Sequence, residues 1–189
     1  MGQLVEHTNP KPFFTNLQNI KAFVLGCDPT AFDRNQNRLE FEYVFDLGND
    51  ERYFTGILKN LKLIGISLND VYVQNLVTDY QEEETSKNRK WEEVAKESIS
   101  QRKNELDLID VSGEIPVFLT SELLYKVLLN QGLERNRASQ FYNLEINIPI
   151  PADNNLLNRP LLPFYRHYRY KLSEQKSYLS YLQSFFRLG

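Results

Sequence analysis

The stretch KAFVLGCDP at residues 21–29 is the part of the chain that decides the expected fold. Its apolar run is short, ends at Gly26 and leads into Asp28 and Pro29, a pattern typical of a buried strand that ends in a turn. Three further short apolar runs predict three more strands. They are VYVQNLV at 71–77, IPVFL at 115–119 and PLLPFY at 160–165.

Segments with apolar residues at helical spacing separate or follow these strands. Gly65 is the predicted cap at the end of the first helix, and Thr120 is the predicted cap at the start of the second. Because strands and helices alternate, we expect one α/β domain over residues 1–189. Its architecture would be a three-layer sandwich with a central, mostly parallel four-stranded sheet and helices on both faces. The predicted helices are residues 54–64, 121–130 and 173–188.

Other segments carry different patterns. Residues 1–17 are expected to be a loose N-terminal segment. Residues 38–47 alternate apolar and polar positions, which predicts a half-buried strand or an extended loop, and FYNLEINI at 141–148 alternates as well. Residues 79–107 are rich in Glu, Lys and Arg, and they predict a charged excursion in which a mobile loop leads into an exposed helix.

Composition excludes several classes of protein. Of 189 residues, 41% are hydrophobic and 25% are charged, so the chain resembles an ordinary globular protein rather than a disordered or fibrous one. The net charge of −3 argues against a broadly basic nucleic-acid-binding protein but allows one basic patch. The single cysteine excludes a disulfide framework, and we expect a reduced, cytoplasmic location. We see neither a secretory signal nor a run of about 20 apolar residues, and we expect a monomer without membrane association.

Polar residues stand at the ends of three predicted strands, where ligands bind in parallel α/β sheets. Asp28 follows the first strand, Asn75 lies in the second and His167 follows the last. A carboxylate, an amide and an imidazole at one edge can together supply acid–base chemistry and recognition of a base edge. Each residue also has a simpler explanation. Asp28 can make a local turn, Asn75 can bond a neighbouring loop, and His167 can be an exposed histidine without function.

The patterns of several other enzyme classes are missing from the sequence. Neither GxxxxGKS/T nor GxGxxG occurs, so no phosphate-binding loop is predicted. No serine or cysteine nucleophile stands beside a base. The two histidines, His7 and His167, are too far apart in sequence to indicate a metal site. We therefore expect neither a metal nor an organic cofactor.

Residues 159–170 combine basic and aromatic side chains. They include three arginines, three tyrosines, a histidine and a phenylalanine, and no acidic residue. Such interleaving suits phosphate contacts and stacking on bases, whereas the alternative is that the tyrosines pack on the core. The candidate nucleic-acid contacts are Arg166, Tyr168, Arg169 and Tyr170.

Taken in order, these pieces resemble the uracil-DNA glycosylase superfamily. The strand that enters Gly26-Cys27-Asp28-Pro29 is similar to the GxDP-type first motif of that family, and Leu39-Glu40-Phe41 follows it. VYVQNLV at 71–77 resembles the strand that carries the base-reading asparagine of the family. The last predicted strand enters a loop that contains a histidine. The resemblance extends over residues 18–186 and rests on the succession of these short motifs.

The resemblance implies a monofunctional DNA glycosylase. Such an enzyme hydrolyses the N-glycosidic bond of uracil or a related altered base that is flipped out of DNA, and it needs no cofactor. Asp28 would activate the water and stabilise the cationic sugar, and Asn75 would bond the Watson–Crick edge of the base. His167 would donate to the departing base as negative charge develops on it.

The resemblance also assigns the walls of the pocket. Phe41 would stack on the flipped base, and Cys27, Pro29 and Thr30 would contact the substrate. The chain departs from the family in two places. Only His167 remains of the usual His-Pro-Ser stretch, and Thr30 stands where many members carry a tyrosine.

Two other functions stay open at this point. The chain can be a non-catalytic member of the same fold that binds a nucleobase, nucleotide or nucleic acid. It can also be an unrelated doubly wound domain that docks a protein partner through the charged segment 79–107.

Overall fold

A four-stranded sheet forms the centre of the molecule. The computed structural model describes residues 8–130, 142 and 149–187. Its strands are β1 (Ala22–Gly26), β2 (Val71–Asn75), β3 (Val117–Leu119) and β4 (Leu161–Pro163). All four run parallel in the order β2-β1-β3-β4. The predicted α/β fold is therefore confirmed, and each strand lies within its predicted segment.

Helices cover both faces of this sheet. They are α1 (Thr55–Leu63), α2 (Trp91–Ile109), α3 (Glu122–Leu128) and α4 (Lys176–Arg187). Crossovers between parallel strands are right-handed, so α1 lies on one face while α2 and α3 lie on the other. On the α1 side, the Gln183 amide in α4 donates to the Leu63 carbonyl over 2.9 Å. The result is the expected three-layer sandwich. Among the described residues, no helix has both the length and the apolar character needed to cross a bilayer.

The strands are buried on both faces, as their mostly apolar sequences indicate. All five residues of β1 and all five of β2 are buried. Towards the other edge, the rings of Phe118 and Phe164 stack with centroids 4.1 Å apart, and α4 contributes Tyr178 and Leu182 to the core. Against this apolar background Asn75, at the end of β2, is a buried amide that requires a partner.

Residues 38–47 form an extended loop, one of the two predicted conformations, and no strand. Val44 is buried although the alternation placed it on the polar side, and it begins a short 3₁₀ turn that ends at Asp46. Phe45 and Asp46 have φ of 57° and 56°, which no regular strand can contain. This left-handed backbone brings the Phe45 ring close to Gly26 at the end of β1.

The N-terminal segment is held in place at residues 11–13. The Lys11 amide donates to the Glu42 carbonyl over 2.9 Å, and Phe13 exchanges two backbone hydrogen bonds with Val73. The expectation of a loose segment over residues 1–17 is wrong there, because the open edge of β2 offers backbone groups to a passing chain. Residues 1–7 lie outside the described part of the chain.

Of the two predicted helix caps, the one at the end of α1 agrees with the structure and the one at the start of α3 does not. Gly65 directly follows the C-cap residue Ile64, and its φ of 74° is the left-handed conformation with which glycine ends a helix, as predicted. The predicted cap of α3 is wrong by one residue, since Ser121 Oγ accepts from the Leu123 amide at 3.2 Å. The Thr120 hydroxyl instead donates to the Leu25 carbonyl over 2.9 Å and so joins β3 to β1.

The charged segment 79–107 consists of two parts. Residues 79–90, which we call the strap, contain turns and bends but neither helix nor strand. The helix that follows is buried on one face and packs against α3, so the expectation of an exposed helix is wrong for that face. Its buried residues are Trp91, Ala95, Ile99, Arg102 and Leu106.

Arg159 links the C-terminal end of α2 to the residues just before β4. Its side chain is fully buried, and its guanidinium donates to Asp110 Oδ2 at 2.5 Å and to Asp107 Oδ1 at 2.9 Å. The same guanidinium lies over the Phe23 ring, 5.2 Å from its centroid. Arg159 therefore belongs to the interior and does not contribute to a basic surface at residues 159–170.

The alternating segment 141–148 lies outside the described residues except for Tyr142. The hydroxyl of Tyr142 donates to the Tyr170 carbonyl over 3.1 Å, and its ring centroid is 5.2 Å from that of Tyr165. This tyrosine therefore packs beneath the chain that leaves β4.

Candidate functional site

A cavity of about 450 Å³ lies at the carboxyl ends of the strands. This position follows from the fold, because all four strands are parallel and their last residues meet at one edge. Eight of the residues predicted for the site line the cavity, and they come from four separate segments of the chain. They are Cys27, Asp28, Pro29, Thr30, Phe41, Asn75, Arg166 and His167.

Asp28 stands at the exit of β1 with both carboxylate oxygens engaged. Oδ1 accepts from the Thr30 amide at 2.8 Å, which is a local turn of the kind that aspartate favours before proline. Oδ2 accepts from the Thr85 hydroxyl of the strap. Because each carboxylate oxygen has two lone pairs and accepts one hydrogen bond, Asp28 can still accept a further donor on each oxygen.

Asn75 places an amide at the bottom of the cavity. Its side chain is 2% exposed, and its Oδ1 atom is buried without a hydrogen-bond partner. Gly26 pairs with Asn75 across the sheet and leaves the room that the amide occupies. A buried carbonyl oxygen without a donor is unfavourable by about 1–3 kcal/mol, so Oδ1 is a group of this site that lacks a hydrogen-bond partner.

Three aromatic rings form one wall. Phe41 meets Tyr53 edge to face with centroids 5.4 Å apart, and Phe45 packs against Phe54 at 5.2 Å. Phe41 was predicted, whereas Phe45 and Tyr53 were not. The alternation over 38–47 pointed to Phe45 as a core residue, and no sequence signal distinguishes a ring in the core from a ring in a cavity wall.

Cys27 lines the cavity in surroundings that disfavour its thiolate. Burial raises the pKa of its thiol to about 12, and a hydrogen bond with Ser121 only partly opposes this effect. Because the thiolate is the reactive form, Cys27 acts as a small apolar wall residue. Ser121 also lines the cavity and was not among the predicted site residues.

His167 lies at the mouth with one nitrogen already engaged. Its Nδ1 accepts from the Arg169 amide at 3.2 Å, so in the neutral ring the proton resides on Nε2. The ring stacks on Tyr168 with centroids 4.6 Å apart. The imidazole is therefore oriented as a hydrogen-bond donor through Nε2.

The remaining predicted residues lie at the mouth of the cavity or outside it. The Arg166 amide donates to the Thr120 carbonyl at 3.1 Å, and its guanidinium lies 5.7 Å from the centroid of the Phe45 ring. Tyr168 is 69% exposed, and Arg169 is exposed beside it. Neither residue lines the cavity, so both lie outside its mouth.

Tyr170 lies below this exposed group rather than in it. It is half-buried, with its ring 5.4 Å from that of Tyr165 and 5.8 Å from that of His167. This position favours the alternative in which the tyrosine packs on the core, and it leaves Tyr170 supporting the histidine.

The strap supplies a wall that the sequence did not reveal. Glu84, Thr85 and Ser86 line the cavity. They belong to a charged segment whose sequence is typical of a solvated face, and only the tertiary structure brings them close to Asp28. Across residues 8–130, 142 and 149–187, no group of three or more His, Cys, Asp or Glu side chains is placed to hold a metal ion.

The chain matches no protein-family model, and no curated protein matches it. The residues that line the cavity are therefore the evidence for its chemistry. An acid, a buried amide, an aromatic wall and an imidazole donor surround a space of the size that small ligands occupy in proteins.

Proposed function

We propose that this chain is a DNA glycosylase-like hydrolase that cleaves the N-glycosidic bond of uracil or a related altered base. One observation carries the proposal. Asp28, Phe41, Asn75 and His167, from four distant segments, line the same cavity. Since a base inside a duplex is unreachable, the nucleotide would be turned out of the helix into this space.

The buried amide of Asn75 supports a nucleobase as the ligand. An asparagine side chain carries an acceptor and a donor on one carbon, and a pyrimidine edge presents an N–H group next to a carbonyl. The unpartnered Oδ1 would accept from the base N–H. The flat ring would lie along the aromatic wall, where stacking on Phe41 contributes about 1–3 kcal/mol.

Asp28 and His167 would divide the chemistry between them. As the bond to the base breaks, positive charge develops on the sugar and negative charge on the base. The Asp28 carboxylate would stabilise the sugar cation and accept a proton from the attacking water. Nε2–H of His167 would donate to the departing base, an interaction stronger in the transition state than in the ground state.

The exposed residues beyond the mouth would hold the polynucleotide. The cations Arg166, at the mouth, and Arg169, outside it, would contact backbone phosphates, and the exposed ring of Tyr168 would stack on a neighbouring base. Because these contacts are electrostatic, binding should weaken steeply with salt.

The test is a base-release assay on single- and double-stranded oligonucleotides that contain uracil, hypoxanthine or xanthine. We expect product from the wild type and at least ~100-fold less from Asp28→Asn, which removes the proton acceptor. Asp153→Asn, at an exposed aspartate that does not line the cavity, is the matched control and should behave as wild type. If wild type and Asp28→Asn are equally inert on every substrate, the proposal is abandoned.

A non-catalytic nucleobase-binding protein is the second candidate. It is favoured by the two hydrogen bonds that Asp28 already accepts, since a carboxylate engaged in this way also suits a purely structural turn. This candidate predicts salt-sensitive binding of the same oligonucleotides that needs Arg166 and Arg169 but yields no free base. Absence of binding at low salt would exclude it.

A further inference from the structure

The strap is joined by hydrogen bonds to three walls of the cavity. The Tyr80 hydroxyl accepts from the Phe41 amide at 2.8 Å, and the Gln81 amide donates to Thr30 Oγ1 at 2.7 Å. The Thr85 hydroxyl donates to Asp28 Oδ2. The proposed function uses Asp28 and Phe41, and the resemblance assigns Thr30 to the substrate pocket.

These attachments are few, and each depends on a side chain. In the described part of the chain, every hydrogen bond between the strap and residues 8–77 has a side-chain partner, including the one from Asn9 to Asp79. The strap has no helix or strand of its own to resist opening. Segments fastened in this way open locally, at a free energy far below that of global unfolding.

We propose that Thr85 is a positioning residue for Asp28 and that its hydrogen bond latches the strap over the cavity. The kinetic part of this inference rests on the proposed function, whereas the latch itself does not. With the Thr30 amide on Oδ1 and the Thr85 hydroxyl on Oδ2, the carboxylate plane is fixed from both sides. The carboxylate is thereby held in one orientation at the wall of the cavity.

A hydroxyl at residue 85 is the group that this role requires. Thr85→Val keeps the shape of the side chain and removes the donor, whereas Thr85→Ser keeps the donor and removes a methyl group. A latch should therefore fail in the valine variant and survive in the serine variant. Thr15→Val is the matched control, because the exposed Thr15 hydroxyl bonds Asn69 outside the cavity.

The rate at which trypsin cleaves the strap measures the latch, and this assay needs no nucleic acid. Lys87, Arg89 and Lys90 are exposed in the strap, and because a protease binds an extended segment of chain, opening of the strap should speed cleavage there. Since a hydrogen bond to a carboxylate is stronger than a neutral one, we expect Thr85→Val to raise the rate of cleavage in the strap about tenfold. Thr85→Ser and Thr15→Val should be cleaved at the wild-type rate. Equal cleavage of Thr85→Val and wild type would overturn the latch.

Base release measures the positioning role. A misdirected Asp28 should lower kcat of Thr85→Val about 10- to 100-fold with KM changed less than about threefold, and Thr85→Ser should restore kcat. Faster cleavage of the strap with an unchanged or raised kcat would overturn the positioning role. A wild type that releases no base refutes the proposed function and the positioning role together, and the latch is then decided by proteolysis alone.

Discussion

Replacing Gly26 by alanine should destabilise the fold and narrow the cavity beside Asn75 and Phe45. A Cβ atom on Gly26 would lie closer than 3.0 Å to Asn75 Oδ1 and to the nearest atom of the Phe45 ring. Asn75 is buried at the end of β2 and the Phe45 ring packs against Phe54, so relief of the clash would require the ring to shift into the cavity. Overpacking of this kind costs about 1–3 kcal/mol. For a domain of this size, each kcal/mol lowers Tm by about 2–4 °C, so we expect a fall of about 2–12 °C.

Thermal unfolding followed by circular dichroism measures the stability effect, and the base-release assay measures the effect on the cavity. Gly65→Ala is the matched control, since nothing lies within 4 Å of a Cβ there and only its φ of 74° opposes alanine. That variant should lose about 1–2 kcal/mol and keep its activity. An unchanged Tm for Gly26→Ala, or an equal loss of activity in both variants, would refute the packing argument.

Three further predictions concern charge and burial. Arg159→Met should lower the free energy of urea unfolding by about 3–5 kcal/mol, because it leaves the nearly buried Asp110 without its ion-pair partner. Burial opposes ionisation of Asp110, but hydrogen bonds from Ser112 and Arg159 hold its pKa below the usual value. A lowered pKa in the folded state contributes stability that is present above about pH 4 and is lost as the pH falls through that pKa. The free energy of unfolding should therefore fall less steeply with decreasing pH in Arg159→Met than in the wild type. With its pKa raised to about 12, Cys27 should react with iodoacetamide at pH 8 at least ~100-fold more slowly than a free thiol, and rapid labelling of the native protein would contradict this.

The positions of the strands could be predicted because parallel strands buried on both faces need short, continuous apolar runs. β1 and β2 carry such runs, and both lie inside the predicted segments. The polar residues at the strand ends were visible for the same reason, since Asp28 and Asn75 interrupt an apolar pattern. His167 was found only through its place after the last strand.

Local sequence patterns did not predict the structure where groups distant in sequence determine the conformation or form the hydrogen bonds. The alternation at 38–47 predicts a strand as readily as a loop, and the left-handed backbone at Phe45 decides for the loop. Thr120 is as good a helix cap as Ser121 by residue type, but the carbonyl of Leu25 engages its hydroxyl. Neither outcome can be inferred without knowing which neighbours the folded chain brings close.

The sequence by itself determined the class of fold and the edge of the sheet at which polar residues collect, because both follow from where apolar side chains must be buried. The tertiary structure decided which of those residues share a cavity, and it added the strap. Thr85 lies 57 residues from Asp28 along the chain. A hydrogen bond over that separation leaves no trace in local periodicity, since it depends on how the loops pack after the sheet has formed.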